Sequence, residues 1–473
     1  MSHSRSSKLR SLLREENSRR VETSSSSPNP GAVSSVLPTA APFDNLADLL
    51  KKLLAEPRTV EETRIPPSVV ADLTLKTLYF GGMMRGGQIA QAVHLHFSGV
   101  VEPILRALKA DHLIEVTGGS SLSPASYQYS ITNKGGERAR ELLHRNRYVG
   151  PCPVALRHYI NVIELQAQRR PLVKEADVRR AMTGLILSDE IIEQIGPAVN
   201  SYESLFIFGP PGNGKTSIAK AIGSSLLPGN VMVPHAIFED GQIIKVFDPE
   251  AHEALENNDV DQSAESSSFD KRWVRCAPPV VITGGELTLQ DLDLAWSDTN
   301  RYYEAPFQLK ANGGMLMIDD FGRQRAEPRD LLNRWIVPLE EGIDYLTFHT
   351  GKKFPVPFET LLIFSTNLNP KALVDEAFLR RISHKMGIDN PDRDQFREIF
   401  IDACQARNIE FSEPAFNYLL QKYYDEVGRP LRACHPRDLL KQVVTYAIYR
   451  GEPIAMTLAL IDRAARSYFA ELY

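Results

Sequence analysis

Residues 209–216 read GPPGNGKT and match the pattern G-x-x-x-x-G-K-[ST] of a phosphate-binding loop. An apolar run at 205–208 precedes them, and the apolar spacing that follows Thr216 predicts a helix. Glycines let the backbone of such a loop curl so that its N–H groups face phosphate oxygens, and the helix dipole adds positive charge. We expect Lys215 to reach the β- and γ-phosphates of a nucleotide, and the Thr216 hydroxyl to hold Mg²⁺.

Two further apolar runs end in polar residues. Residues 315–318 are followed by Asp319 and Asp320, and residues 361–364 lead through Ser365 and Thr366 to Asn367. Open α/β sheets bind ligands at the carboxyl ends of their strands, so these side chains should face the phosphate loop. Asp319 would then bind the Mg²⁺ shell, and Asn367 could orient a water beside the γ-phosphate. A strand that simply ends in an Asx-turn is the alternative for Asn367.

These three motifs, in this order, resemble those of the AAA+ ATPase family, and the resemblance extends over about residues 182–466. It identifies the phosphate loop with the Walker A motif, Asp319 and Asp320 with the Walker B acids, and Asn367 with sensor 1. It implies that ATP and Mg²⁺ are the cofactors. The nucleotide contacts would comprise Gly209, Pro210, Pro211, Gly212, Asn213, Gly214, Lys215, Thr216, Ser217 and Arg437.

The resemblance also implies roles for arginines outside the loop. Residues 375–381 read DEAFLRR and are similar to the segment that carries the arginine finger, which reaches the γ-phosphate of a neighbouring subunit. We favour Arg381 over Arg380 for this role, with a solvated surface pair as the alternative. Residues 434–440 read CHPRDLL and resemble the sensor 2 region, where Arg437 would touch the phosphates from the lid. His435 beside it is expected to be a packing or capping residue.

One position departs from the family pattern. The family usually places Glu after the Walker B Asp as the base that activates water, and this chain has Asp320. The shorter side chain reaches less far, and a general base must lie within hydrogen-bonding distance of the proton it takes or act through one water. We therefore expect a Mg²⁺-dependent ATP hydrolase with slow turnover. A nucleotide switch that hardly hydrolyses ATP is an alternative.

The spacing of apolar residues predicts an α/β fold with additional parts at both ends. Three helices followed by a β-hairpin resemble a winged helix in topology, and a five-stranded parallel sheet with a helical lid follows from the AAA+ resemblance. The predicted divisions are a disordered tail at 1–45, a linker helix at 46–67, a winged-helix-like α+β domain at 68–150, the P-loop core at 151–390 and the lid at 391–473.

A helix and a hairpin are also predicted between the second and third motifs. The hairpin spans residues 345–358, with Lys352 and Lys353 near its tip. It resembles the pre-sensor 1 hairpin of one branch of AAA+ proteins. An ordinary surface hairpin is the alternative.

Composition excludes several classes of protein. A hydrophobic fraction of 43% supports packed globular domains, and a net charge of -5 gives no global bias toward nucleic acid or membrane. The four cysteines are far apart, which argues against a disulfide framework or a zinc site. The sequence contains no apolar run long enough for a membrane span and no secretory signal, so a cytoplasmic protein is the expectation.

The family resemblance predicts a homo-oligomer, a hexameric ring, that remodels a macromolecular client. The alternative is a DNA-associated regulator that uses the winged-helix-like domain, whose last helix carries Arg138, Arg140, Arg145 and Arg147. The presumed recognition helix, however, nearly balances Arg106 and Lys109 with Glu102 and Asp111. Because DNA-reading helices are usually basic, we favour a protein client over DNA.

Overall fold

The computed structural model describes residues 43–118, 123–255, 269–369 and 379–470. Nearly all of the predicted tail at 1–45 lies outside these ranges, as does the first half of the proposed arginine-finger segment. Helices within the described ranges are α1 Phe43–Leu53, α2 Pro67–Gly81, α3 Gly86–Val93, α4 Glu102–Ala110, α5 Asn133–Arg145, α6 Leu156–Ala167, α7 Glu175–Ala181, α8 Asp189–Ser201, α9 Lys215–Ala221, α10 Phe307–Lys310, α11 Pro328–Glu341, α12 Arg393–Gln405, α13 Glu413–Leu420, α14 Cys434–Arg450 and α15 Leu458–Tyr468. The strands are β1 Met84–Arg85, β2 Ile114–Gly118, β3 Gln128–Ile131, β4 Val154–Ala155, β5 Ser204–Phe208, β6 Val231–Pro234, β7 Ala236–Glu239, β8 Gln242–Lys245, β9 Trp273–Cys276, β10 Val280–Thr283, β11 Ala295–Trp296, β12 Tyr303–Glu304, β13 Met315–Ile318, β14 Ile343–Thr347, β15 Lys353–Pro357, β16 Leu361–Thr366 and β17 His384–Gly387.

The N-terminal part packs α2, α3, α4 and α5 against a small antiparallel sheet in which β3 lies between β1 and β2. Helix α2 begins with Pro67 in its first turn, where the missing N–H costs nothing, and is followed by Gly82 with φ 68°. Val70 and Leu78 on this helix are fully buried. Three helices followed by a hairpin is the order of elements predicted from the sequence.

The central sheet has five strands in the order β10-β13-β16-β5-β17, and all four pairings are parallel. This confirms the predicted α/β core with a five-stranded parallel sheet. Strand β13 is buried over its whole length, which is why its sequence is a continuous apolar run rather than an alternating one. The parallel pairing brings the carboxyl ends of β5, β13 and β16 to one edge of the sheet.

A second, mixed sheet was not predicted. Its order is β11-β12-β8-β7-β4, and the pair β6–β9 and the hairpin β14–β15 pack with it in one hydrophobic core that contains Trp273, Tyr303 and Phe348. Along the chain, β4 precedes β5, β7 and β8 lie between β5 and β10, and β11 and β12 lie between β10 and β13. The hairpin predicted after α11 is present, and its tip is held against the mixed sheet because Lys352 Nζ lies 3.1 Å from Asp240 Oδ1.

The C-terminal part is helical, as predicted, and α12 to α15 share one core. Helix α12 begins at a capping box in which the Asp392 carboxylate accepts from the Gln395 N–H and the Gln395 side chain accepts from the Asp392 N–H. None of the helices in the described ranges combines the length and the apolar run that a bilayer span requires.

Candidate functional site

The predicted phosphate loop connects β5 to α9 and has the backbone that its glycines allow. Gly209, Gly212 and Gly214 have φ values of 142°, 84° and 85°. A Cβ at Gly209 would lie 2.1 Å from the carbonyl oxygen of Ile388, so no larger residue fits without a shift of the backbone. The loop therefore requires glycine both for its conformation and for close packing.

Lys215 is 5% exposed and points back into the loop. Its Nζ donates to the carbonyl oxygens of Gly209 and Pro210 at 2.9 and 2.8 Å, and to Asn367 Oδ1 at 2.6 Å. Burial lowers the pKa of Lys215, whereas the nearby carboxylates of Asp320 and Asp319 oppose that shift. The ammonium group is thus held at the loop by acceptors that anionic phosphate oxygens could replace.

Thr216 and Asp319 form the second part of the site. The Thr216 hydroxyl donates to Asp319, at 2.9 Å to Oδ2 and 3.2 Å to Oδ1. A hydroxyl and a carboxylate are the hard oxygen ligands that Mg²⁺ prefers, and this ion is usually held by one or two carboxylates together with substrate phosphates. The described residues contain no cluster of three or more His, Cys, Asp or Glu side chains suited to a metal.

Asp320 and Asn367 form the third part, at the ends of β13 and β16. The Asn367 amide donates from Nδ2 to Asp320 Oδ1 at 2.8 Å while its Oδ1 accepts from Lys215, so one side chain bridges the loop and the acid. The backbone of Asp320 has φ 49°, a left-handed conformation that Asp tolerates better than most residues. The three sequence motifs therefore meet at one edge of the parallel sheet.

Gln324 supports the turn after β13, and no motif in the sequence indicates this role. Its Nε2 donates to the carbonyl oxygens of Asp319 and Asp320 at 2.9 and 3.2 Å, and its Oε1 accepts from the Gly322 N–H at 2.8 Å. These bonds fix the backbone from which both carboxylates project. Only the folded turn brings this amide back to the acids.

The tip of the phosphate loop contacts the C-terminal helices directly. Asn213 donates to Asn390 Oδ1 at 2.9 Å and accepts from the Ala433 N–H at 3.2 Å. The Cys434 N–H donates to the Gly212 carbonyl at 2.8 Å. The loop is therefore bonded both to the connector after β17 and to the start of α14.

Arg437, which the resemblance indicated, lies in solvent, and Arg432, which the sequence analysis did not single out, lies close to the loop. Arg437 is 68% exposed, and its Nε lies 3.1 Å from Asp438 Oδ1. Arg432 is half-buried and lies close enough to Lys215 to contribute to lowering the pKa of that lysine. Arg432 is thus a positive charge close to the phosphate loop, and a Cβ added at Gly212 would lie 3.9 Å from the Arg432 Cβ. His435 is buried and hydrogen-bonded to the Tyr424 hydroxyl at 2.9 Å, which fits the packing role predicted for it.

Of the segment at 375–381, the structure describes residues 379–381, which include both arginines. Arg380 is exposed at the start of the turn that leads to β17. Arg381 is 31% exposed, and its Nε lies 2.5 Å from Oε1 of Glu340, near the end of α11. A role in another subunit's site would require Arg381 to leave this ion pair.

Comparisons with known proteins give distant likenesses. A family model described as "Domain of unknown function (DUF8689)" matches residues 392–467, which contain most of α12 to α15. No curated protein matches the sequence. NtrX from Brucella abortus in complex with ADP is 14% identical, with a TM-score of 0.37 over 63% of this chain and 59% of that chain. RuvB from Thermotoga maritima, a Holliday junction branch migration motor, is 13% identical, with a TM-score of 0.34 over 59% of this chain and 69% of that chain.

Proposed function

We propose that this chain is an AAA+ ATPase that binds ATP with Mg²⁺ at the loop of residues 209–216 and hydrolyses it. The observation that carries the proposal is the meeting of Lys215, the Thr216–Asp319 pair and the Asp320–Asn367 pair at one edge of a parallel sheet. Phosphoryl transfer to water needs a cation, oxygen ligands for a metal ion and a carboxylate base, and this site contains all three kinds of group.

Thr216 and Asp319 are the residues that would hold Mg²⁺. The ion, when bound, would supply positive charge that neutralises the charge of the phosphates. Lys215 would exchange its carbonyl acceptors for the β- and γ-phosphates, and the loop N–H groups would bind the remaining oxygens. Asp320 would take the proton from the attacking water, and Asn367 would orient that water. The short side chain of Asp320 makes slow turnover the expectation, and at its limit the chain would be a nucleotide switch.

Lys215→Ala tests the site. Charge-assisted contacts of this kind are worth about 1.5–3 kcal/mol each, so we expect calorimetry to show ATP binding weakened at least ~10-fold. Lys220→Ala is the matched control, because Lys220 lies on the same helix but is exposed. Equal ATP affinity in the Lys215 variant and the parent would contradict the assignment of the loop.

The wider function that we propose is remodelling of a protein client by an oligomeric ring, which the family resemblance suggests to be a hexamer. In such a ring Arg381, or Arg380 beside it, would act on the nucleotide of the next subunit. Lid and loop are bonded through Gly212, Asn213 and Cys434, which gives a route by which the γ-phosphate could move the lid.

A DNA-associated regulator is the second candidate, and the charge pattern of α5 weighs against it. Arg138 Nη1 lies 3.0 Å from Glu141 Oε2. Burial raises the pKa of Asp72, and the positive charges of Arg138, Lys76 and Arg145 oppose that shift, so two of the helix's arginines also face an internal acid. Cations that are already paired contribute less to binding phosphates, so we favour a protein client.

A further inference from the structure

An open groove of about 600 Å³ lies between the N-terminal helices and the mixed sheet, and none of its lining residues belongs to the phosphate loop. Its lining combines aromatic rings with basic side chains and, among the described residues, includes no acidic one. The residues that carry these features are Phe80, Tyr148, Phe247, Tyr302, Arg147 and Lys245.

The groove is positively charged at neutral pH. Arg147 is exposed, and within the described ranges its guanidinium has no hydrogen-bond or ion-pair partner; only its backbone N–H is used, donating to the Asn300 carbonyl at 2.9 Å. Lys245 is 39% exposed and its Nζ lies 3.5 Å from Glu304 Oε1, so a partner's carboxylate would share this lysine with Glu304. His235 adds no charge, because burial lowers its pKa to about 4. The lining therefore selects an anionic partner.

The apolar part of the groove is open to solvent. Phe80 is 65% exposed on its rim, and Met83, three residues further along the chain, is 56% exposed. A small ligand would be covered on one side only, whereas pockets for small ligands bury most of the molecule they hold. Exposed apolar surface rimmed by charge is typical of a protein interaction site.

Nucleic acid fits the groove less well than a peptide. A single strand carries one phosphate per nucleotide and needs a continuous track of cations along its backbone. The neighbouring helix α5 does not extend the track, since Arg138 is paired with Glu141 and both Arg138 and Arg145 face Asp72. Two cations beside aromatic rings match one or two carboxylates next to an apolar side chain.

We propose that this groove binds a short acidic segment of a partner protein, with an aromatic or aliphatic side chain packed against Phe80 and carboxylates paired with Arg147 and Lys245. The inference does not depend on the nucleotide site, because none of these residues contacts the phosphate loop. It gives the N-terminal part of the chain a client-binding surface of its own.

Selection of random nonapeptides displayed on phage, carried out on the full chain without nucleotide, tests the proposal. We expect enriched peptides to combine Asp or Glu with an aromatic or aliphatic residue. Anisotropy with a labelled enriched peptide should then show binding about 5-fold weaker for Arg147→Ser, as an exposed ion pair of up to about 1 kcal/mol implies. Phe80→Ser should weaken it at least as much.

Arg140→Ser and Tyr449→Ser are the matched controls, since both residues are exposed and neither lines the groove. Both controls should bind the peptide like the parent, and all four variants should keep the parent's thermal midpoint and its ATP affinity. Absence of enrichment, or equal binding by Arg147→Ser and Phe80→Ser, would overturn the proposal. So would binding of a single-stranded oligothymidylate that both substitutions abolish, because the groove would then be a nucleic-acid site.

Discussion

At the scale of single residues, hydrogen bonds connect the side chains of the site to one another. Lys215 donates to Asn367, and Asn367 donates to Asp320, so that loop and acid are joined through one amide. A γ-phosphate that takes the lysine would leave Asn367 bonded to the acid alone. The hydrogen bonds of the Asn367 amide would thus differ between the loop without nucleotide and the loop with ATP bound.

Asp320 provides the sharpest test of hydrolysis. We expect Asp320→Asn to keep ATP affinity within about 2-fold and to lower kcat by ~10²-fold or more, the usual contribution of a positioned general base. Asn tolerates the left-handed backbone at this position, so the substitution changes chemistry rather than conformation. Asp320→Glu introduces the residue that AAA+ proteins usually have at the corresponding position and should match or exceed the parent's kcat. If Asp320→Asn hydrolyses ATP at the parent's rate in a steady-state assay, Asp320 is not the base.

We expect substitutions of the two lid arginines, Arg432 and Arg437, to have different effects on ATP binding. Since Arg432 acts on Lys215 and Arg437 is paired with Asp438 in solvent, Arg432→Ala should raise the Kd for ATP about 10-fold, the effect of one charge-assisted contact. Arg437→Ala should change it little. Calorimetry on both variants decides between them. The reverse order would restore Arg437 to the role that the sequence suggested and would require the lid to rotate when nucleotide binds.

The sequence predicted those site residues that belong to local motifs. Lys215, Thr216 and Asp319 belong to motifs in which spacing alone defines the geometry, and the fold brings them together as expected. Gln324 and Arg432 act through a turn and through the packing of the lid, and no spacing along the chain encodes either. The resemblance of residues 434–440 to the sensor 2 region indicates Arg437, whereas in the fold its Nε lies 3.1 Å from Asp438 Oδ1.

At the scale of elements, the start of α14 is the part of the lid most closely coupled to the loop. Its first residue, Cys434, donates its N–H to Gly212, and a Cβ added at Gly212 would lie 2.5 Å from the Cys434 sulfur. The next residue, His435, is buried beneath this contact. A change in the packing of His435 should therefore reach the phosphate loop.

Protonation of His435 should destabilise the lid. Burial, with the nearby positive charges of Arg432 and Arg429, lowers the pKa of His435 from 6.5 to about 4, although Asp438 opposes the shift. The folded state thus keeps the ring neutral, and the unfolded chain binds a proton first. The stabilisation is complete above pH 6.5 and is lost as the pH falls toward 4.

We expect this loss of stability to appear when the parent is compared with a variant that lacks His435. The stability advantage of the parent over His435→Gln should shrink by about 2 kcal/mol between pH 7 and pH 4.5, measured by urea unfolding. His144→Gln serves as the control, since His144 is exposed on α5 and its substitution should leave the pH dependence unchanged. An advantage that stays constant with pH would mean that the ring is already protonated or open to water in the fold.

The elements that the sequence predicted are those with a long local signal. Three strands of the parallel sheet, β5, β13 and β16, are apolar runs that burial on both faces requires, and α2 shows helical spacing over four turns. The mixed sheet has no such signal, because its strands have two to four residues and β4 pairs with β7 across about eighty residues of chain. Pairings of that range are set by the shared core around Trp273 and Tyr303, which only the folded chain assembles.

At the scale of the whole molecule, the mixed sheet connects parts that the sequence analysis treated as separate. The core that it shares with the hairpin β14–β15 includes Phe348 and Phe354, which are 2% and 3% exposed. The tip of the hairpin therefore contacts this sheet instead of projecting freely, and the same sheet forms one wall of the groove beneath Phe80.

The last prediction concerns the assembly of several chains, because in a single chain Arg381 is already paired with a residue of that chain. Its bond to Glu340 near the end of α11 would have to be exchanged for the nucleotide of a neighbouring subunit. We expect Arg381→Ala to bind ATP almost like the parent and to hydrolyse it ~10³-fold more slowly, since an arginine supplied in trans is worth that much in related reactions. Mixing it with Lys215→Ala protein should restore part of the activity, as some interfaces would then combine an intact loop with an intact arginine. Arg380→Ala, assayed and mixed in the same way, shows which of the two arginines acts. Failure of every mixture to regain activity, with sedimentation showing monomers in ATP, would contradict the ring.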